Sequence, residues 1–357
     1  MGVYIALLFI PMMIQHTRIK GYYISHEKKN SAALMFFFLV LTALVMLRHE
    51  SIGNDTRNYI YYFYMFADME WEEIIKETPE IGFAYFNKII AKLTNNKQIF
   101  LAIAAITPSL MMYPTYKRLC IDASLTSILY CTMSTFVMMF SGLRQMLSIG
   151  IGFIAYKFVR EKKVIPFVAI VCLATAFHTS GFMLIFMYPI YHAKITKKRL
   201  YVIVPALAII FVFNRPIFSV LSIILERYTK YDGSISPTGA YSMLILFAIF
   251  TAFAFIIPDE SLIDAETIGL RNFLIFALVI QMFVPLHGLA MRMNYYYIIF
   301  IPLLLPMIID KRKRKWNQVA ILGRHMMIFV LCVYFFINAS RGFNLNVFPY
   351  HFFWENI

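Results

Sequence analysis

Residues 124–159 read SLTSILYCTMSTFVMMFSGLRQMLSIGIGFIAYKFV, an apolar stretch with the polar sequence SGLRQ at 141–145 near its middle. A bilayer core about 30 Å thick is crossed by roughly 20 helical residues. The stretch is therefore long enough for two crossings, and its polar residues fall where the chain would turn. An ionisable side chain such as Arg144 is costly inside a membrane and indicates a functional site.

Two further apolar stretches follow the same pattern. Residues 163–191 contain HTSG at 178–181, and residues 272–309 contain HGLAMR at 287–292. If all three stretches are hairpins, their polar turns reach the same membrane surface. We therefore expect a cationic, histidine-containing site at one face of the membrane.

The composition is that of a membrane protein. Of the 357 residues, 61% are hydrophobic and 15% are charged, whereas soluble domains have about 25% charged residues. The short alternating segments of a β-barrel are absent, so we predict an all-α, polytopic integral membrane helix bundle. The net charge of +14 comes without a nucleic-acid-binding signature. Four scattered cysteines support neither a disulfide framework nor a zinc site.

The apolar runs predict about 12 transmembrane or re-entrant segments. They lie at 3–15, 32–48, 98–114, 124–140, 144–159, 163–177, 179–191, 200–214, 240–257, 272–286, 292–309 and 325–340. The chain shows no internal repeat. We therefore expect a single membrane domain over residues 1–357.

Lysine and arginine give the orientation of these segments, because positively charged loops stay in the cytoplasm. These residues concentrate in the loops 16–31, 115–123, 157–163, 191–200, 258–271 and 310–325. Loop 258–271 is the exception, since its acidic residues outnumber Arg271. The three polar turns then reach the outer face, together with the outer loops 49–97 and 215–239, which we expect over the active site.

Three arginines are candidate anion-binding residues. Arg48 lies where a predicted span leaves the membrane, whereas Arg144 and Arg292 lie in two of the polar turns, where helices begin. A helix N-terminus attracts anions, and a guanidinium group binds phosphate oxygens through two parallel hydrogen bonds. This set suits a pyrophosphate group. The alternative is that each arginine is an interfacial anchor near a helix end.

Three other residues are candidate proton acceptors. Histidine can act as an acid or a base near neutral pH, and His178 lies in an apolar environment. Asp55 and Glu80 lie in the outer loop 49–97, where they could accept a hydroxyl proton or orient the arginines. The alternative role of His178 is structural, as a hydrogen-bonded histidine in the packed interior. The alternative for Asp55 and Glu80 is that they are loop carboxylates exposed to solvent.

The outer loop also carries a dense aromatic segment, residues 59–71. This pattern is typical of an amphipathic helix at the membrane interface, and a sugar-stacking platform is the second interpretation. Asp68 and Glu70 have a spacing that suits a divalent metal, but they lie in an acidic amphipathic stretch. We predict no metal and no cofactor.

Five short sequences carry a family resemblance through their order. They are Arg48 with Gly53-Asn54-Asp55-Thr56, Tyr59 and Phe63; Glu80-x-Gly82 with Asn87; Gly142-x-Arg144-Gln145; His178-x-Ser180; and Arg292 with Tyr296 and Pro302 or Pro306. In this order they resemble the EpsG family of exopolysaccharide and O-antigen polymerases, often grouped as Wzy-like. One departure is Gly181, which stands where we expect alanine after His-x-Ser.

The resemblance implies a glycosyltransferase-C-like enzyme of the bacterial inner membrane, with its active site facing the periplasm or the cell exterior. Such enzymes join oligosaccharide repeat units carried on undecaprenyl pyrophosphate. The implied partners are this lipid-linked oligosaccharide and the bilayer, with a chain-length regulator and a flippase as candidate protein partners and no nucleic acid.

The resemblance also implies roles for the motif residues. The implied catalytic residues are Asp55, Glu80 and His178; the pyrophosphate-binding residues are Arg48, Arg144 and Arg292; and the substrate-binding residues are Tyr59, Gln145, Ser180 and Tyr296.

Two other functions remain open. A flippase or transporter of lipid-linked oligosaccharides would also need basic side chains, but such proteins usually have related halves and polar sites at the midplane. A membrane-bound sugar O-acyltransferase could use His178, but its thioester donor would bind at the cytoplasmic face.

Overall fold

The computed structural model describes residues 2–17, 25–133, 135–224, 237–310, 317–340 and 345–356. Residues 225–236 of the predicted outer loop 215–239 lie outside this set. The α-helices are α1 (Gly2–His16), α2 (His26–Met46), α3 (Thr56–Asp68), α4 (Trp71–Glu77), α5 (Ile81–Ala91), α6 (Lys97–Leu119), α7 (Ala123–Thr132), α8 (Thr135–Ser141), α9 (Leu143–Arg160), α10 (Val164–Phe177), α11 (Met187–His192), α12 (Leu200–Val212), α13 (Asn214–Ile224), α14 (Pro237–Ile256), α15 (Ala265–Gln281), α16 (Gly288–Ile298), α17 (Ile301–Ile309) and α18 (Asn317–Ser340). Short 3-10 helices cover Thr179–Phe186 and Lys197–Arg199. The same residues contain no β-strand, so the predicted all-α class is confirmed.

Every predicted apolar segment falls on helical structure. Within the described residues, four helices are long and apolar enough to cross a membrane, namely α2, α6, α14 and α18. Three bent pairs, α7–α8, α12–α13 and α16–α17, raise the number to 7 if each pair is one span. The protein is therefore a helical membrane protein with 4 to 7 candidate spans, and the count of about 12 segments stays a prediction.

The three polar sequences lie at helix breaks. Helix α8 ends at Ser141 and α9 begins at Leu143, with Gly142 between them. Helix α10 ends at Phe177, and His178 then adopts an extended backbone with φ −153° and ψ 127°. His287 caps α16, because its ring nitrogen Nδ1 accepts a hydrogen bond of 3.0 Å from the Leu289 amide. Polar side chains thus occur where backbone groups lose their helical partners.

The chain forms two compact units, Met1–Ile185 with His325–Ile357, and Phe186–Arg324. In the first unit, α1 packs on α2, α2 on α6, α6 on α9, and α9 along α10. In the second unit, α15 packs against α11, α14, α16 and α17. The expectation of a single membrane domain stays a prediction.

An outer layer of three helices, α3 to α5, fills the loop 49–97 of the first unit. Helix α3 is amphipathic, as its sequence predicts: Phe63 is buried and stacks on Phe100 at 4.5 Å, whereas 65% of Tyr61 is exposed. One apolar cluster joins α3 and α5 to α6 and α9, and it includes Phe83 and Leu143. This cluster fixes the outer layer on the helices that carry the polar turns.

The acidic loop 258–271 has a structural explanation in the second unit. Arg271 is fully buried in α15, and its guanidinium donates to both carboxylate oxygens of Glu260 at 2.8 and 2.9 Å. It also donates to the Ile195 carbonyl at 2.9 Å. Burial would raise the pKa of Glu260, but the hydrogen bonds from Arg271 lower it. The arginine and one of the acidic residues in this loop therefore neutralise each other.

Candidate functional site

Glu80 lies at the start of the outer helix α5, as the N-cap residue. Helix α5 packs against the end of α10 in the first unit. The approach is close because residue 82 is glycine: a Cβ atom there would lie 2.9 Å from the Phe177 ring and 3.1 Å from the Ala176 carbonyl. This contact places the Glu80 carboxylate beside the break that follows Phe177.

The Glu80 carboxylate joins two of the predicted site residues. Its oxygen Oε2 accepts a hydrogen bond of 2.6 Å from Arg144 Nη1, and Oε1 lies 2.5 Å from His178 Nδ1. The Thr179 amide donates to Oε1 at 3.1 Å. Only 7% of the Glu80 side chain is exposed. Three groups from three elements of the first unit thus form one buried charge cluster, the Glu80–Arg144–His178 cluster.

The partners of Glu80 decide its charge. Burial would raise the pKa of this carboxyl, but the hydrogen bond and the charge of His178, together with the charge of Arg144, lower it to about 2. An ionised carboxylate only accepts hydrogen bonds. The hydrogen between Glu80 and His178 therefore belongs to Nδ1, and a neutral imidazole then has its free electron pair on Nε2.

Arg144 lies in the first turn of α9 and keeps 26% of its side chain exposed. Its guanidinium carbon is 5.6 to 5.7 Å from the ring centres of Tyr59, Tyr62 and Phe83. The guanidinium also hydrogen-bonds the Tyr59 hydroxyl. Its Nε atom is buried without a hydrogen-bond partner in the described part of the chain. An aromatic box thus orients the cation and leaves part of it open to solvent.

The backbone around His178 is held by tight packing in the first unit. The His178 amide and the Ser148 hydroxyl both donate to the Ala174 carbonyl, at 3.0 and 2.8 Å. A Cβ atom at Gly181 would lie 2.7 Å from both the Ala174 backbone and the Ser148 hydroxyl. This lack of space explains why glycine stands where the family resemblance led us to expect alanine.

The other predicted catalytic residue, Asp55, lies outside this cluster. It is the N-cap residue of α3, but its side chain makes no capping hydrogen bond. Among the described residues its carboxylate forms no hydrogen bond or ion pair. Asp55 is partly exposed and close enough to Tyr59 for its charge to act on that hydroxyl.

Arg48 is in the interior of the first unit. Its side chain is fully buried, and Nη1 donates to the Val45 carbonyl at the end of α2. Burial lowers the pKa of its guanidinium to about 10, and electrostatic interactions with the hydroxyl groups of Tyr350 and Tyr59 oppose this shift. Arg48 and Arg144 therefore both lie within electrostatic range of Tyr59.

The remaining predicted site residues have different surroundings. Tyr59, Gln145 and Ser180 are buried in the first unit, and Tyr59 holds Arg144 through its ring and hydroxyl. Arg292 and Tyr296 lie on α16 in the second unit, where Arg292 is partly exposed and Tyr296 is buried. The expected meeting of Arg292 with Arg144 and His178 stays a prediction.

The sequence interpretation missed two contributors to the cluster. Tyr62 lies one helical turn after Tyr59 on α3, so the i,i+3 spacing could have placed both rings on one face. The backbone amide of Thr179 donates to Glu80, and a contact made by the backbone cannot be predicted from the type of residue. In the described part of the chain, no group of three His, Cys, Asp or Glu residues could hold a metal ion.

The helices and the buried cluster define a class of protein: a helical membrane protein with a carboxylate, a guanidinium and an imidazole joined in one unit. The family model of the EpsG family matches residues 31–352, and the chain belongs to the EpsG family. EpsG is a Wzy-like polymerase family that acts in exopolysaccharide synthesis. No curated protein and no solved structure matches the chain.

Proposed function

We propose that this protein is a polysaccharide polymerase with a glycosyltransferase-C-like fold in the bacterial inner membrane. It transfers a growing glycan from undecaprenyl pyrophosphate to a lipid-linked oligosaccharide repeat unit at the periplasmic face. The observation that carries this proposal is the Glu80–Arg144–His178 cluster, which combines a proton acceptor with a cation in a family of polymerases.

His178 is the proton acceptor in this reaction. The hydroxyl oxygen of the acceptor sugar forms a bond to the anomeric carbon of the donor, and Nε2 of His178 takes the hydroxyl proton. Glu80 is a poor base because its pKa is lowered to about 2. Its carboxylate instead orients the imidazole and stabilises the imidazolium that forms, as a buried carboxylate does beside a catalytic histidine.

Arg144 receives the leaving group. As the new bond forms, the bond between the anomeric carbon and the pyrophosphate oxygen breaks, and the pyrophosphate keeps the electron pair. A guanidinium at a helix N-terminus stabilises this developing negative charge. Arg144 keeps 26% of its side chain exposed, which suits contact with a pyrophosphate group. Arg292, in the second unit, is proposed as a further pyrophosphate-binding residue.

The other predicted residues complete the proposal. Asp55 carries a carboxylate without a partner in the described chain, which suits hydrogen bonds to hydroxyl groups of the acceptor sugar. Gln145, Ser180 and Tyr296 are proposed substrate-binding residues, and Tyr59 positions Arg144. The bilayer holds both lipid carriers, and a chain-length regulator and a flippase are the proposed protein partners.

The test uses purified protein in liposomes with a lipid-linked oligosaccharide. We expect longer glycans without movement of the lipid between leaflets. Leaflet exchange without lengthening would instead indicate a flippase, and acyl transfer to the sugar would indicate an acyltransferase.

Variants then test the cations of the site. We expect Arg144→Ala and Arg292→Ala to abolish long glycans while insertion stays normal, with a loss of about 100-fold or more in rate because electrostatic stabilisation is removed. Arg57→Ala is the matched control, because Arg57 lies in the loop 49–97 with 70% of its side chain exposed. Its ion pair with Glu50 is long, at 3.9 Å. Wild-type chain length in both site variants would remove the pyrophosphate assignment.

A further inference from the structure

Asp55 follows a turn that is bonded to a distant part of the chain. Residues 345–356, here called the 345–356 segment, come after α18 and belong to the first unit. Two carbonyl groups of this segment accept hydrogen bonds from the Gly53 amide, at 3.2 Å, and from the Asn54 amide, at 3.1 Å. Asp55 is the next residue and forms the N-cap of α3. The backbone just before Asp55 is therefore fixed by the 345–356 segment.

The two accepting residues have an unusual backbone conformation. They are Asn346 and Leu345, and their φ angles are +55° and +52°. This left-handed conformation is disfavoured for residues with a Cβ atom, although asparagine tolerates it better than leucine. Backbone strain of this kind persists only where the surrounding contacts impose it, and it is concentrated at functional sites. The segment thus keeps a disfavoured conformation that directs both carbonyls at the turn before Asp55.

Firm packing holds the strained residues in place. Val347 is fully buried, and its carbonyl accepts a hydrogen bond of 2.6 Å from the Tyr4 hydroxyl of α1. The centre of the Tyr4 ring lies 4.5 Å from that of Phe348 and 5.9 Å from that of Tyr350. The Tyr350 hydroxyl donates to the Leu44 carbonyl of α2 at 2.7 Å. Helices α1 and α2 therefore make the 345–356 segment a rigid support.

The other side of the turn rests on the end of α8. The Thr56 hydroxyl donates to the Phe140 carbonyl at 3.4 Å. Gly53 has a φ of +85°, and a Cβ atom there would collide with the same carbonyl oxygen. Helix α8 ends at Ser141, just before the break that leads to Arg144. The turn is thus fixed between the 345–356 segment and the end of α8.

We propose that the 345–356 segment is a positioning element of the active site, in which Leu345 and Asn346 hold the Asp55 carboxylate where it bonds hydroxyl groups of the acceptor sugar. This inference rests on the proposed polymerase function. Asp55 binds the acceptor in that function, whereas His178 and Arg144 serve the chemical step. Loosening the turn should therefore weaken acceptor binding and leave the chemical step nearly unchanged.

Glycan lengthening at varied acceptor concentration tests this inference. The assay uses the full chain in liposomes, a labelled glycan on undecaprenyl pyrophosphate as the donor, and the lipid-linked repeat unit as the acceptor. Asn346→Val introduces a β-branched residue that does not fit the left-handed conformation, whereas Asn346→Gly adopts it freely. We expect Asn346→Val to raise the KM for the acceptor about tenfold, roughly the loss of one hydrogen bond to a charged group, with kcat nearly unchanged. The KM of Asn346→Gly should stay close to the wild-type value.

A double-mutant cycle with Asp55→Ala separates positioning from a general structural role. Asp55 makes no capping hydrogen bond, so Asp55→Ala removes the carboxylate without the loss of a cap. In this background Asn346→Val should change the KM by less than about twofold, because the group that it positions is gone. An equal rise in both backgrounds would overturn the inference, as would an unchanged KM in Asn346→Val alone. Complete loss of lengthening in Asp55→Ala would contradict the binding role of Asp55.

Tyr4→Phe keeps the test valid if Asn346→Val fails to fold. It removes the hydroxyl that bonds the Val347 carbonyl and keeps the ring, so the KM should rise by about threefold. Tyr64→Phe is the matched control, because its hydroxyl bonds the Asn95 carbonyl elsewhere in the loop 49–97. Equal KM values in these two variants would count against the inference. Failure of the polymerase function would instead appear as no glycan lengthening by the wild-type protein.

Discussion

At the residue scale, one carboxylate organises the site. Glu80 uses one oxygen for Arg144 and the other for His178, so it sets the position of the cation and the tautomer of the imidazole together. Sequence alone offered Asp55, Glu80 and His178 as equal candidates for the base. The hydrogen bonds favour His178, because the partners of Glu80 keep it ionised, whereas Nε2 of the imidazole has no hydrogen-bond partner among the described residues.

Substitution of Glu80 by glutamine tests this division of roles. Glu80→Gln keeps the size of the side chain but removes the charge that orients His178 and Arg144. We expect the rate of glycan lengthening to fall by about 100- to 10,000-fold, the range attributed to positioned proton transfer. The rate is measured from product length on gels with lipid-linked substrate. Glu77→Gln is the control, since Glu77 is exposed in the same outer layer, and an equal loss in both variants would contradict the assignment.

Acid should destabilise the protein through the same residue. The pKa of Glu80 is lowered from 4.5 to about 2 in the folded protein. Its contribution to stability is therefore present above pH 4.5 and is lost as the pH falls towards 2. We expect the melting temperature of the wild-type protein in detergent to fall over this range, and Glu80→Gln to show a smaller fall. Identical pH profiles would contradict the expectation.

At the element scale, close packing between α5 and α10 brings Glu80 next to His178. Gly82 lets the outer helix α5 approach the end of α10, and Gly181 lets the segment after His178 turn back against Ala174. Gly82 belongs to the sequences that carry the family resemblance, whereas Gly181 departs from the expected alanine. Each glycine is needed because a side chain at its position would collide with a neighbouring segment. The sequence motif alone does not reveal this steric role.

Filling the space at Gly82 should separate Glu80 from His178. In Gly82→Ala the new methyl group meets the Phe177 ring and the Ala176 carbonyl, so α5 must shift. We expect a loss of 1–3 kcal/mol in stability, which is roughly the cost of overpacking, and at least a tenfold lower rate. Thermal unfolding and glycan lengthening measure the two effects. Gly239→Ala is the control, because nothing lies within 4 Å of its Cβ position. A wild-type rate in Gly82→Ala would contradict the role proposed for this close packing.

At the scale of the whole molecule, the sequence predicted the helices well. The apolar runs are long and each of them falls mostly on helical segments in the described residues, so the fold class and the breaks at the polar sequences followed from hydropathy. It could not predict the burial of Arg48 or the isolation of Asp55. Both depend on how the outer layer and residues 345–356 pack against the rest of the first unit. These contacts join residues far apart in sequence, such as Arg48 and Phe352, and no periodic pattern in the sequence predicts them.

The orientation of the molecule gives one further prediction. Leu93 is 77% exposed in the loop 49–97, and Lys198 is exposed in the loop 191–200. In a background that carries Cys172→Ser and Cys332→Ser, we expect Leu93→Cys to react with a membrane-impermeant maleimide added outside the cell. Lys198→Cys should react only after permeabilisation, because positively charged loops stay in the cytoplasm. Labelling of Lys198→Cys in intact cells would reverse the orientation.

The cluster around Glu80 also bears on biogenesis. Glu80 begins α5, whereas Arg144 lies in α9 and His178 directly follows α10, and both of these helices are made later in translation. Each of the three side chains therefore lacks its partners until α5 has docked. The activity proposed above then requires this docking, so a chain in which α5 is not yet in place would be inactive.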